Sequence, residues 1–200
     1  PDYVRARTLR AALKNLPGIK PIVIKNSHKG LLRYPEILWK IWQVKRQQKP
    51  DTYLLTFRGQ EILPFVLALA GSKPVIFDEF IVPSAYSAEQ HRQSALIRLR
   101  YFLIRIGSPF YKHWLNRCKI ILADTRAHAE LSARLNRVNL SKYLVVPVGT
   151  DEELFKPATA ARSPEVFRVF YYTTGMQPLH GIPVVLEAAE ALKEYTDIAF

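Results

Sequence analysis

Residues Tyr143 to Ala189 constrain the fold more than any other stretch. Leu144, Val145 and Val146 form a short apolar run that stops at Pro147. The turn Val148-Gly149-Thr150-Asp151 follows, then Phe155 and Pro157. A second apolar run, Phe167 to Tyr172, ends in Thr173-Thr174-Gly175. His180-Gly181-Ile182-Pro183 then opens a helix with Val184, Val185, Ala188 and Leu192 on one side. A strand feeding a loop that opens a helix turns backbone N–H groups toward a phosphate in α/β proteins. Two such runs across a proline-bounded acidic linker predict two α/β domains hinged there, with a ligand between them.

The rest of the chain alternates in the same way. Val4, Leu9, Leu13 and Leu16 lie broadly on one helix face that stops at Pro17-Gly18. Ile22-Val23-Ile24 reads as a short strand, and Ile37, Leu38, Ile41 and Val44 mark a helix from near Pro35 to before Pro50. Strands are predicted at Tyr53–Phe57, at Val75-Ile76-Phe77 ending in Asp78-Glu79, and at Ile120–Ala123. Glu61 to Ala70 reads as an apolar helix closed by Gly71, and Leu96 to Ile106 as a long helix. Asp124 is expected to cap a helix over Thr125–Arg137. Strands alternating with helices predict a parallel sheet.

P-x-G-x-D-x-x-x-F-x-P (Pro147, Gly149, Asp151, Phe155, Pro157), then a strand, H-G-I and a helix bearing Leu186, Ala188 and Ala189, resembles the domain junction of group 1, family-4-like glycosyltransferases with the GT-B fold. The resemblance implies an α/β chain with a doubly wound, Rossmann-like N-terminal domain and the opening β-α-β of a second Rossmann-like domain. Residues 1–148 would form the acceptor-binding domain, 149–165 the linker and 166–200 the start of the nucleotide-sugar domain. The family's first strand would lie before Pro1 and its two-glutamate donor motif beyond Phe200. The chain then reads as a fragment, inactive alone. The implied reaction moves a hexosyl group from a UDP- or GDP-linked sugar to a glycan or lipid-linked saccharide, with no cofactor and no metal.

Candidate residues follow from position and from the resemblance. Asp78 and Glu79 end a predicted central strand, where open α/β sheets bind ligands. One of them could orient an acceptor hydroxyl or serve as general base, or it could cap a loop or pair with an arginine. As a catalytic residue Asp78 should be more exposed than Ile76, and Asp78→Asn should lower turnover far more than stability. The resemblance places Thr174 and His180 where relatives carry an arginine and a lysine on the donor diphosphate. Thr174, Gly175, His180 and Gly181 are therefore the donor-phosphate candidates, by hydrogen bonds and the helix N-terminus rather than by formal charge. Gly149, Thr150 and Asp151 form the hinge turn, with glycine suited to tight backbone angles.

Charge separates the two parts. The first 150 residues carry 25 Lys and Arg against 9 Asp and Glu, and the last 50 carry 4 against 8. A basic part favours phosphate-bearing partners. In Ser94–Trp114, Arg98, Arg100, Arg105 and Lys112 interleave with Leu99, Leu103, Ile106 and aromatic residues. That pattern marks a membrane- or acceptor-binding segment, or a core helix with solvated arginines. Trp39 and Trp42 raise the same question and read as core or rim. Hydrophobic content of 48% excludes a disordered chain. The single cysteine, Cys118, suits a reducing compartment. The apolar run Ile62–Ala70 is about half a membrane span. A cytoplasmic protein, peripheral on an anionic membrane face, is the resulting expectation. Nucleic acid is disfavoured because no helix-turn-helix or single-strand-binding pattern is present, and a basic membrane- or nucleic-acid-binding module is the non-catalytic alternative. Another GT-B-shaped enzyme, an epimerase or phosphorylase, is the catalytic one.

Overall fold

The computed structural model describes residues 3–56, 59–80, 82, 110–150, 155–156, 166–173 and 180–200. The chain divides into two compact units, Pro1–Glu152 and Glu153–Phe200.

The first unit is an α/β layer structure. Helix α1 spans Val4–Lys14 and α2 spans Arg33–Gln48. Strand β1 (Tyr53–Leu55) leads to α3 (Leu63–Ala70) and β2 (Val75–Asp78). Helix α4, described over 110–117, precedes β3 (Ile120–Ala123). Helix α5 (Arg126–Asn136) and β4 (Tyr143–Val145) complete it. The four strands form one parallel sheet in the order β1-β2-β3-β4. Among the described strands the order runs one way without the reversal that makes a sheet doubly wound. Apolar runs of Val, Ile and Phe form β2 and β3 because parallel strands are covered on both faces.

The main core lies where α3 and α4 pack on this sheet. Leu63, Val66 and Leu67 of α3 meet Val75 and Phe77 of β2, Ile121 of β3 and Leu115 of α4, all nearly inaccessible to water. Pro64 sits in the first turn of α3, where its missing N–H has no helix partner to lose. Gly71 stops the helix at φ 63°, a left-handed angle that favours glycine.

Several local expectations are corrected. Residues 20–29 contain no strand. Pro21 removes a donor there, and Glu36 of α2 captures the N–H groups of Ser27 (2.7 Å) and His28 (2.9 Å). Lys40 holds the Lys25 carbonyl at 2.8 Å and also pairs with Glu36. The hydrogen bond from Lys40, then those from the loop backbone, hold the Glu36 carboxyl well below its ordinary range. The loop has exchanged a strand partner for a side-chain clamp. On α1 the deeply buried residue is Arg5 rather than an aliphatic one, while Val4 and Leu16 are exposed. Trp39 and Trp42 are 56% and 42% exposed, so neither is core. Thr125, not Asp124, caps α5: its hydroxyl accepts the His128 N–H at 3.1 Å.

In the second unit β5 (Phe167–Arg168) pairs in parallel with β6 (Ile198–Ala199), joined through α6 (Ile182–Ala191). β5 is shorter than the predicted Phe167–Tyr172 strand.

Candidate functional site

The C-terminal edge of the sheet holds the two candidate carboxylates. Asp78 ends β2 in register with Leu122, and the Glu79 N–H extends the pairing by donating to the Leu122 carbonyl at 2.9 Å. Successive strand residues point to opposite faces, so the two carboxylates meet different neighbours.

Asp78 is 2% exposed, whereas Ile76 is half-buried; the expected order is reversed. The reason is α1. Arg5 Nε donates to Asp78 Oδ1 at 2.7 Å, and Arg5 Nη1 donates to the Val146 carbonyl at 2.6 Å. One guanidinium thereby ties the first helix to the ends of β2 and β4. Burial raises the Asp78 carboxyl pKa, against the lowering effect of the Arg5 hydrogen bond and charge. Arg5 Nη2 and Asp78 Oδ2 are buried without a hydrogen-bond partner among the described residues. Nearby, His128 Nδ1 contacts Asp124 Oδ1 at 2.7 Å.

Glu79 is fully buried and satisfied by hydroxyls. Tyr111 donates to Oε1 at 2.7 Å and Ser132 donates to Oε2 at 2.5 Å. Ser132 has then spent its single proton, so Tyr143 (2.8 Å) must donate to the Ser132 oxygen, as does Asn136 Nδ2 (3.0 Å). Burial raises the Glu79 carboxyl pKa, and the Ser132 and Tyr111 hydrogen bonds oppose it. Burial also pushes the Cys118 thiol up to about 12, which leaves it protonated and unreactive near neutral pH.

The hinge and donor candidates fall elsewhere. Gly149 is not at a left-handed angle, contrary to the tight-turn expectation, and a Cβ added there would sit at ordinary distance, 3.8 Å, from Thr8. Thr150 is exposed, and Asp151 lies outside the described residues. Gly181 takes φ 70° immediately before α6, an angle that does favour glycine. Among the contacts of His180, Tyr171 Oη donates to its carbonyl at 2.5 Å and Thr173 Oγ1 meets its Nδ1 at 2.5 Å. Thr174, Gly175, Arg98, Arg100 and Arg105 lie outside the described residues. Among the described residues no group of three His, Cys, Asp or Glu side chains could hold a metal.

Sequence reasoning singled out Asp78 and Glu79 but not their partners. Arg5 carried a signal, because it heads the Arg5-Leu9-Leu13 row at four-residue spacing, a charge where an apolar residue is expected. Asp124–His128 and Ser132–Asn136 are also four apart on a helix or its cap, the spacing of facing pairs. Nothing in the sequence linked Tyr111 and Ser132 to Glu79. No protein-family profile matches the chain, and no curated protein matches it.

Proposed function

We propose that the protein belongs to a GT-B-type glycosyltransferase and acts in moving a hexosyl group from a nucleotide-sugar to a glycan or lipid-linked saccharide. One observation carries this reading: the boundary between the two α/β units, Glu152/Glu153, falls inside the Pro147–Pro157 junction pattern. The pattern that resembles a transferase junction thus lies where the chain passes from one parallel α/β unit to the next. The parallel sheet of the first unit supports a Rossmann-like acceptor domain.

The second unit supports the donor role. Gly181 turns the chain into α6, whose first-turn N–H groups at Ile182 and Val184 have no acceptor within the helix. Pro183 contributes no donor and shapes the turn. Such a terminus suits a diphosphate. Transfer would rest on positioning and on stabilising the departing diphosphate. In this reading Asp78 and Glu79 brace the acceptor-side edge from within, as positioning residues.

Titration of the 15N-labelled protein with UDP-hexose and GDP-hexose tests the proposal. One of them is expected to shift the amide signals of Gly181, Ile182 and Val184. His180→Ala should weaken that binding roughly tenfold, the worth of one hydrogen bond to a charged group. Saturating amounts of both donors with no shift at these amides would overturn the donor assignment.

A further inference from the structure

Helix α2 presents two chemically different faces. Ile41 is buried in the core and Ile37 packs against it. At 3.6 residues per turn Trp39 and Arg46 lie opposite this core line, with Pro35 and Trp42 beside them and Leu38 on the flank. Trp39 is 56% exposed and Trp42 42%. The single 3-10 turn Gly30–Leu32 extends the apolar part with Leu31 and Leu32, which are 82% and 66% exposed. Beside it, Tyr34, Pro35, Leu38, Ile62 and Phe65 line an open apolar groove.

We infer that this face of α2, with the Gly30–Leu32 turn and Phe65, is a docking surface for an anionic lipid bilayer, and it stands whether or not the chain transfers sugar. Lone exposed apolar residues are ordinary; two leucines and two tryptophans left exposed on one helix and the turn that leads into it are not. Charge selects the occupant. Residues 1–50 hold 12 Lys and Arg against 2 Asp and Glu, and of those two Glu36 is neutralised by Lys40. The acidic residue at the groove, Glu61, is paired with Arg33. The apolar turns of α2 therefore run into a basic last turn, Lys45 and Arg46, with Lys49 just past the helix end, and no acidic side chain is left uncompensated on α2. Arg46 lies 4.8 Å over the Trp42 ring, which keeps the cation at the rim of the apolar patch. Tryptophan rings at the headgroup level with cations reaching phosphates are how a helix lies in a membrane interface. Among the described residues no helix is long and apolar enough to cross a membrane. The surface differs from the 94–114 segment expected from the sequence, most of which lies outside the described residues.

Vesicle sedimentation tests the surface on the intact protein. Vesicles of phosphatidylcholine with phosphatidylglycerol should carry the protein down at low salt, and phosphatidylcholine alone should not. Trp39→Ser with Trp42→Ser should weaken binding roughly tenfold through lost apolar burial. Arg46→Glu with Lys49→Glu should weaken it at least roughly tenfold and flatten its salt dependence. These side chains lie on the outward face, and far-UV circular dichroism checks that the variants fold. Brominated lipid should quench Trp39 and Trp42, read in a Trp114→Phe background. Absence of sedimentation at low salt would overturn the inference. So would full binding by both double variants with loss in Arg98→Glu plus Arg105→Glu. Binding to DNA or self-association that shields the tryptophans, without vesicle binding, would overturn it in favour of that partner.

Discussion

Asp78→Ala is expected to destabilise the first unit by about 3–5 kcal/mol, the cost of leaving one member of a buried ion pair alone. Arg5 is 1% exposed and its Nε reaches Asp78 at 2.7 Å, so the guanidinium would keep only the Val146 carbonyl. Asp78→Asn should also lower stability, because a neutral amide cannot balance the guanidinium. This differs from the turnover effect expected of an exposed strand-end carboxylate. The double change Arg5→Met with Asp78→Leu should recover most of the loss, since a well-packed apolar pair can replace a buried ion pair at little or no cost. Urea unfolding of the three variants checks this. A single variant with the wild-type midpoint would show that α1 is not pinned through Asp78.

Glu79→Ala should be nearly as severe, about 3 kcal/mol or more. It orphans the Tyr111 and Ser132 hydroxyls, each worth about 1–3 kcal/mol when buried unpaired, and opens a cavity. Glu79→Gln keeps an acceptor and the shape, and its signature is in pH. The folded carboxyl pKa lies above its ordinary value of 4.5, so the folded state holds the proton more tightly than the unfolded chain. Stability is then greatest below that value and falls as pH rises through the raised pKa. Glu36 works with the opposite sign and in a lower window, since its pKa is depressed and its contribution is lost on acidification below 4.5. Above pH 4.5, Glu79→Gln should therefore flatten the decline in stability, leaving the part that Asp78 contributes. An unchanged slope would mean that Glu79 is not titrating in the folded protein.

The candidate site was legible as a place and illegible as a mechanism. Asp78 and Glu79 were visible because a short apolar run ending in two acids marks the C-terminal edge of a parallel strand. Their surroundings were not, because Arg5 is 73 residues from Asp78 and Ser132 is 53 from Glu79. Gly149 was read as needing a tight backbone angle and is not at a left-handed one, whereas Gly181, read only as the opening of a helix, is. The difference is whether a helix must start within a residue, as it does after Gly181.

What the sequence determined by itself was the local structure. Apolar residues at strand or helix spacing set β2, β3, α2 and α3, and Gly71 and Pro64 set the limits of α3, because those signals act over a few bonds. Tertiary structure alone decided which of equally apolar segments paired and which polar groups were sealed in. Ile22-Val23-Ile24 has strand composition, yet Glu36 took its neighbouring N–H groups and it joined no sheet. Arg5 stands on the apolar row of α1, but its partner Asp78 was fixed only when α1 met the strand ends. A buried charge is tolerated only where a distant partner and its hydrogen bonds offset the lost water, and that partner exists only once the chain has folded.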